Sequence, residues 1–482
     1  MSYQLARSYA EQFSDDACQL VAAAQPAPTS DPHWLAFNHD LANQIGIPEA
    51  WQTTAQGLAL YAGQRIPDCL KPIACAYAGH QFGHFVPRLG DGRALLLTEL
   101  ITAQGQHLDI QLKGAGTTIF SRSGDGRAPL GPVLREYIVS EAMHALGIPT
   151  TRALAAVSTG DWVYREQALP GAVLTRVASS HLRIGTAQYI ASYSDELLRQ
   201  RFADYVIARH YPHCAEAEQP YQALFSEIIE RQAQLVAQWM CVGFIHGVMN
   251  TDNMTLTGET IDYGPCAFME HYDPNAVFSA IDRAGRYAYK NQPAIALWNL
   301  ARLGEAWLPL MATEPNQAIE HATQLVHQFP QRYEQHYYQQ MAQKIGLIGS
   351  EPDDRALITE LLQLMAELQL DYTNTWRWLA RGEPAEQPQL LDWQQRWQQR
   401  LHRQGLPLMQ VYAAMNQVNP AVIPRNHWLQ AAITQALESG ELTLFNELIT
   451  VLRTPYQLPT TMMQYTQPAT AEERVQLTFC GT

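Results

Sequence analysis

Two short polar loops at a fixed separation constrain this chain most. The first is His246-Gly247-Val248-Met249-Asn250-Thr251-Asp252-Asn253, and the second, Asp262-Tyr263-Gly264, begins nine residues after Asn253. An amide and a carboxylate offer hard oxygen donors. A magnesium or manganese ion takes one or two such side chains and completes its shell with phosphates and waters. A fold that uses Asn253 and Asp262 in this way must bring both loops to one cleft.

The layout is similar to that of a protein-kinase catalytic loop and metal-binding turn. There a His-x-Asp triplet leads, an Asn follows five residues after the Asp, and an Asp-x-Gly comes next. Here Val248 stands in the place of the base, and valine accepts no proton. Either nucleotide machinery survives without chemistry, or it serves a different transfer. Asp252 is the one carboxylate within the loop and can replace the missing base, provided that it reaches the attacking hydroxyl. The plainer alternative is that Asp252 caps a turn.

Composition bounds the setting. A chain of 482 residues has room for two or three domains, and 47% apolar residues suffice for a large core. Charged residues make up only 16%, which excludes a disordered chain. A net charge of −14 argues against nucleic acid or an anionic membrane as a general partner, and leaves room for a local basic pocket. No apolar run is long enough to span a bilayer, and the first 25 residues have no secretory or transit pattern. The seven cysteines are scattered with no Cys-x-x-Cys pair, so neither a structural zinc nor a dense disulfide framework is expected. A reducing, cytoplasmic setting fits.

Residues 1–75, mixed and punctuated by Pro and Gln, are expected to form an N-terminal extension. Residues 76–165 carry short apolar runs between glycine turns. Strands are expected at Ala94–Glu99, Leu108–Lys113, Ala153–Val157 and Trp162–Tyr164. A helix is expected from about Pro132 to Leu146, with its proline in the first turn and Gly147 as its stop. This is the pattern of a small nucleotide-clamping lobe. Residues 166–330 are mostly helical from about 185. Apolar positions at helical spacing run from Leu224 to Val242 and end at Gly243, just before the His246 loop. Residues 331–482 form a further helical region, in which Leu357–Leu370 is helical and the Gln387–Gln404 stretch is expected as a solvated helix.

Several features upstream suit a polyanion. The tetrapeptide Gly-Asp-Gly-Arg occurs twice, at Gly90-Asp91-Gly92-Arg93 and Gly124-Asp125-Gly126-Arg127. Glycines let backbone N–H groups approach phosphate closely, and arginine adds a fork of donors; a tight turn is the plainer reading of either loop alone. Lys113 ends an alternating strand and suits nucleotide phosphate if a helix glutamate steadies it. Glu136 is the natural candidate and Glu141 the alternative. Arg176 and Arg183 stay charged and bind phosphate in bidentate fashion, unless they are surface arginines in weak ion pairs. His80 and His84 have the spacing of a zinc-protease helix, but Gln81 occupies the place of its glutamate and Gly83 disfavours a helix, so structural histidines are expected.

Taken together, Tyr77–Gly83, Leu89–Arg93, Gln111–Gly116, His246–Asn253 and Asp262–Pro265 resemble the selenoprotein O family, most densely over residues 75–310. The resemblance implies an α+β, protein-kinase-like bilobal fold with a helical C-terminal extension. It implies transfer of AMP from ATP to Ser, Thr or Tyr hydroxyls of proteins, with Mg2+ or Mn2+, and a nucleotide flipped so that the α-phosphate faces the acceptor. By the same resemblance, Gly90, Gly92, Arg93, Lys113, Asp125, Gly126, Arg176, Arg183 and Asp262 line the nucleotide site. Glu136 supports Lys113, Asn253 and Asp262 hold the metal, and Asp252 is the base. Cys480, third from the end, corresponds to the selenocysteine of other members; a regulatory disulfide from it to another cysteine is a further expectation, with Cys266, near the metal turn, as one candidate partner and the pairing left open. The alternatives are UMP transfer from UTP with manganese at the same site, and a catalytically silent pseudokinase that binds nucleotide as a scaffold. Val248 speaks against an ordinary kinase.

Overall fold

The alternating run that ends at Lys113 lies in the middle of a nine-stranded sheet. The computed structural model describes residues 4–14 and 19–479 of the chain. Its strands are β1 (Gln4–Ala6), β2 (Val21–Ala23), β3 (His33–Phe37), β4 (Ile73–Cys75), a separate hairpin of β5 (Gly79–Gln81) and β6 (His84–Val86), then β7 (Ala94–Ile101), β8 (His107–Lys113), β9 (Ala128–Pro129), β10 (Arg152–Tyr164) and β11 (Ala168–Ala178). The order across the sheet is β2-β4-β7-β8-β11-β10-β3, with β1 beside β7 and β9 beside β11. All of these pairings are antiparallel.

Two expectations change. Residues before 76 are not an appendage, because β1 to β4 all join this sheet. They are three to five residues long, too short to show a period of two in a Pro-rich segment. The two strands expected at 153–164 are one strand, whose register against β11 shifts between Ser158 and Trp162. Gly160, at φ +76°, makes that irregularity, and a glycine at a bulge reads from sequence as a turn.

The sheet's central register places the chemistry. Asp109, Gln111 and Lys113 share one face of β8, since side chains alternate along a strand. Opposite them on β11 stand Ala178, Arg176 and Leu174. The alternation in β8 suggests one face in the core and one in water. Instead both faces are buried, and the polar stripe is held by ion pairs.

The expected helix is Leu130–Ala145, with Pro132 in its first turn and Gly147 left-handed just beyond its end. It packs on β10 and β11. Its other side meets two C-terminal helices, Asn426–Glu438 and Thr443–Leu452. There Tyr137 and Phe445 rings lie 5.8 Å apart, and a Cβ on Gly131 would press on Ile433. The longest helix, Pro220–Val242, ends at left-handed Gly243 and packs against Gln292–Ala306 and Phe329–Lys344. The glutamine-rich helix, Pro388–Arg403, is not merely solvated. It buries Leu390, Trp393, Trp397 and Leu401 on one face, and Gln394 is buried with them, bonded to Ala385 N and the Glu383 carbonyl. Among the described residues no helix is long and apolar enough to cross a membrane.

Glu259 ties the end of β11 to the segment that leads into Asp262. Its Oε2 accepts from Ser179 N at 3.2 Å and from Ser179 Oγ at 2.7 Å. Burial pushes this carboxyl up to about 7, against the bonds from Ser179. The folded chain therefore holds the proton where the unfolded chain has lost it, and stability falls as pH rises from the ordinary glutamate range through 7. Glu259→Gln keeps the acceptor and removes the buried charge. Thermal unfolding should show the variant more stable than the wild type at pH 8, on the order of 1–3 kcal/mol, and equal to it at pH 4. An equal difference at both pH values would refute the assignment.

Candidate active site

Three elements converge on one cleft: the floor of β8 and β11, the loop 246–253, and the turn at Asp262. The cavity between them has a volume of about 440 Å³. Of the residues singled out by sequence, Gly92, Arg93, Lys113, Arg176, Arg183, Asp252, Asn253 and Asp262 line it.

Asp262 is the electrostatic centre. Lys113 Nζ donates to its Oδ1 at 2.8 Å, Arg176 Nη1 to the same oxygen at 2.6 Å, and Arg183 Nη1 to Oδ2 at 2.8 Å. Burial alone would raise this carboxyl, but the three cations outweigh it and hold Asp262 well below the usual carboxylate range. Its backbone sits at φ +63°, a conformation that L-residues rarely adopt and that here carries the carboxylate to the cations. Glu136 completes the cluster, accepting from Lys113 Nζ at 2.6 Å and from Arg176 Nη1 at 3.2 Å. Glu141 is committed elsewhere, to Arg152 and Asn38. That settles which helix glutamate steadies Lys113. Arg176 is fixed further by Gln111 Oε1, its partner across the strands.

Asp252 and Asn253 lie in the short helical turn Thr251–Asn253. Burial pushes the Asp252 carboxyl up to about 6, while nearby Arg183 pulls it down. Arg183 also donates to the Asp252 carbonyl at 2.7 Å. Val248 packs its side chain into the core and offers its carbonyl, which accepts from Asn253 Nδ2 at 2.9 Å. That bond fixes the Asn253 amide with its nitrogen on the loop, which leaves Oδ1 as the atom available to a metal. Asn253 Oδ1 and the Asp262 carboxylate are hard oxygens on the wall of one cavity, and this donor set fits Mg2+ or Mn2+ completed by phosphates.

Gly90, Asp125 and Gly126 do not line the cavity. Gly90 turns the chain over the Phe120 ring, and Gly126 packs on the backbone of Gly116, where a Cβ would collide. Asp125 pairs with Arg165 at 2.8 Å and accepts from Arg127 N. The second Gly-Asp-Gly-Arg loop is thus held by the β10–β11 hairpin. His80 and His84 sit in the β5–β6 hairpin, with His80 bonded to Gln188 and edge-on to Trp298. Sequence reasoning passed over Tyr77, Arg122 and Gln81 as members of the cavity wall. The Arg183 guanidinium lies 4.7 Å from the centre of the Tyr77 ring. Arg122 neighbours the second glycine loop, a signal that was present but unassigned.

Cys266 is buried, and burial pushes its thiol up to about 12. The C-terminal segment reaches this turn, since Thr478 Oγ1 donates to the Pro265 carbonyl at 2.6 Å. Cys480 lies outside the described residues.

Replacing Asp262 by Ala leaves Lys113 and Arg176 to share Glu136 and takes from Arg183 its ion-pair partner. We expect a loss of stability of about 3–5 kcal/mol, as for a broken buried pair. Pyrophosphate without metal should recover more of that loss than it adds to the wild type, because phosphate oxygens replace the carboxylate. Thermal melts in a chelator, with and without pyrophosphate, measure both effects. Equal pyrophosphate shifts in the two proteins would contradict this account.

A family model described as "Protein adenylyltransferase SelO" matches residues 4–453. A protein of Anoxybacillus flavithermus named protein nucleotidyltransferase YdiU is 53% identical over 459 residues, 95% of each chain. Proteins of the same name from Bradyrhizobium diazoefficiens and Rhizobium johnstonii are 52% and 51% identical, covering 95–96% of each chain. The chain belongs to the SelO family and is, with that family, a nucleotidyltransferase.

Proposed function

We propose that this enzyme transfers AMP from ATP to Ser, Thr or Tyr hydroxyls of proteins, in a kinase-like bilobal fold and a reducing cytoplasm, with Mg2+ or Mn2+. The observation that carries this reading is the pairing of an inert Val248 with a buried carboxylate, Asp252, on the same cavity wall as the cationic cluster. The proton acceptor has moved within the loop, and a reacting phosphate that has moved with it accounts for that.

In this reading Lys113, Arg176 and Arg183 bind and orient the polyphosphate, and Arg93 closes one side. Transfer of this kind depends on in-line positioning and charge neutralisation more than on covalent help. The acceptor oxygen attacks the α-phosphorus, and the bond from that phosphorus to the bridging oxygen breaks. Pyrophosphate leaves, and Asp252 takes the hydroxyl proton. A divalent cation on Asn253 and Asp262 would neutralise phosphate charge. Burial of Lys113, Arg176 and Arg183 strengthens their pull on phosphate by excluding water.

ATP labelled at the α- or the γ-phosphate separates the readings. Label should reach protein from the α position only and vanish in a chelator; label from γ alone would restore a kinase. A parallel arm with α-labelled UTP and manganese decides the nucleotide. Asp252→Ala should lower transfer by about 10²–10⁴-fold, the usual contribution of a general base, with ATP still bound. Full activity in that variant would remove Asp252 from its role.

A further inference from the structure

The β5–β6 hairpin is a small element with an unusual hold on the catalytic loop. Three consecutive loop residues each receive a bond from it. His80 N donates to Thr251 Oγ1 at 2.7 Å, Phe82 N to Asn250 Oδ1 at 3.1 Å, and Gln81 Nε2 to Asp252 Oδ2 at 3.4 Å. Each of the first two contacts is locked from behind. Thr251 Oγ1 donates to Gln188 Oε1 at 2.6 Å, and Gln188 Nε2 lies 2.8 Å from His80 Nδ1, which closes a ring. Tyr287 donates to the same Asn250 oxygen at 2.6 Å, and its ring packs 5.1 Å from Phe82.

The hairpin is built for this contact at some conformational cost. Its two turn residues, Phe82 and Gly83, both have positive φ, +52° and +86°. That is the two-residue turn which matches strand twist, but it favours Asn or Gly in the first place, and a bulky aromatic there is an outlier. Strain of this kind persists where surrounding structure over-determines it. Gly79 has the opposite specialisation. A Cβ there would come within 2.5 Å of Asp252 Oδ1, so only glycine lets the strand lie against the carboxylate.

The two carboxylate oxygens are therefore unequal. Oδ1 is sealed against Gly79, buried and without a hydrogen-bond partner among the described residues. Oδ2 is the oxygen left to meet an incoming hydroxyl, and it is the one that faces Gln81. A carboxylate oxygen has lone-pair directions for more than one donor, and at 3.4 Å the Gln81 bond is long, so the second direction stays open.

We propose that the Gly79–Val86 hairpin is a clamp on the catalytic loop and that Gln81 is a positioning residue, which fixes the Asp252 carboxylate so that Oδ2 points at the acceptor hydroxyl. The proposal rests on the role given to Asp252 under the proposed function. Gln81 lines the same cavity but bonds to Asp252 and not to Lys113, Arg176 or Arg183, so its removal should fall on the chemical step far more than on ATP binding.

Gln81→Met and Gln81→Leu both keep most of the bulk of the side chain and lose the donor. The test measures kcat and KM for ATP with α-labelled ATP and a protein acceptor, with the melting temperature of each variant as a check on folding. Both variants should lose about ten- to a hundredfold in kcat, the scale of a misplaced reacting group, with a much smaller change in KM for ATP. A packing role predicts wild-type kcat in both variants, and that result would overturn the proposal. So would a raised KM for ATP with kcat retained. Gly79→Ala provides an independent variant, because it displaces the same carboxylate from the other side; it should repeat the loss in kcat without weakening ATP binding. If the wild-type protein itself transfers no α-label, the proposed function fails and the clamp falls with it. If the wild type transfers label and the Gln81 variants match it, the clamp alone fails.

Discussion

Everything in this cleft depends on one carboxylate shared by three buried cations. A buried ammonium or guanidinium is tolerated only when paired, because desolvation costs several kcal/mol per ion. Lys113, Arg176 and Arg183 meet that demand through Asp262 and Glu136. Three positive groups against two negative ones leave the cluster with one net positive charge, a standing preference for an anion. The acidic chain as a whole, at −14, repels polyanions. The cleft therefore adds a local attraction for an anion that the net charge of the chain opposes.

The cluster holds its geometry because its members come from rigid elements braced on two sides. Lys113 and Arg176 stand on adjacent strands in fixed register, and Glu136 stands on the helix packed over them. That helix is pinned from outside by Asn426–Glu438 and Thr443–Leu452, nearly three hundred residues later in sequence. The C-terminal region, whose role sequence left open, thus supports the residue that steadies Lys113. A loosening there would reach the cleft through Glu136 without any contact to the nucleotide site.

Residues close in sequence were legible, and residues joined by tertiary contact were not. The helix at 130–145 and the stop at Gly243 follow from periodicity and glycine placement, which are local. The Lys113–Glu136 pair was a choice between two glutamates, and tertiary contacts decide it: Lys113 bonds Glu136, while Glu141 is taken by Arg152 and Asn38. The repeated Gly-Asp-Gly-Arg tetrapeptide misled, because the same four residues serve two ends: the first loop lines the cavity, and the second is held by Arg165 from the far end of β10. The short strands before residue 76 escaped notice because pairing with β7 and β10, not their own sequence, makes them strands.

In the proposed reading, the move from Val248 to Asp252 is more than a relocated base. At position 248 a side chain is held by the loop's own bonds, such as that from Asn253 to the Val248 carbonyl. At position 252 the turn alone does not fix a side chain, so a carboxylate there needs support from another element. The β5–β6 hairpin supplies it, and its glycine at 79 and left-handed Phe82 are the adjustments that such close approach requires. In that reading the displaced base and the hairpin are linked: either without the other would leave a carboxylate unplaced or a strained turn with nothing to hold.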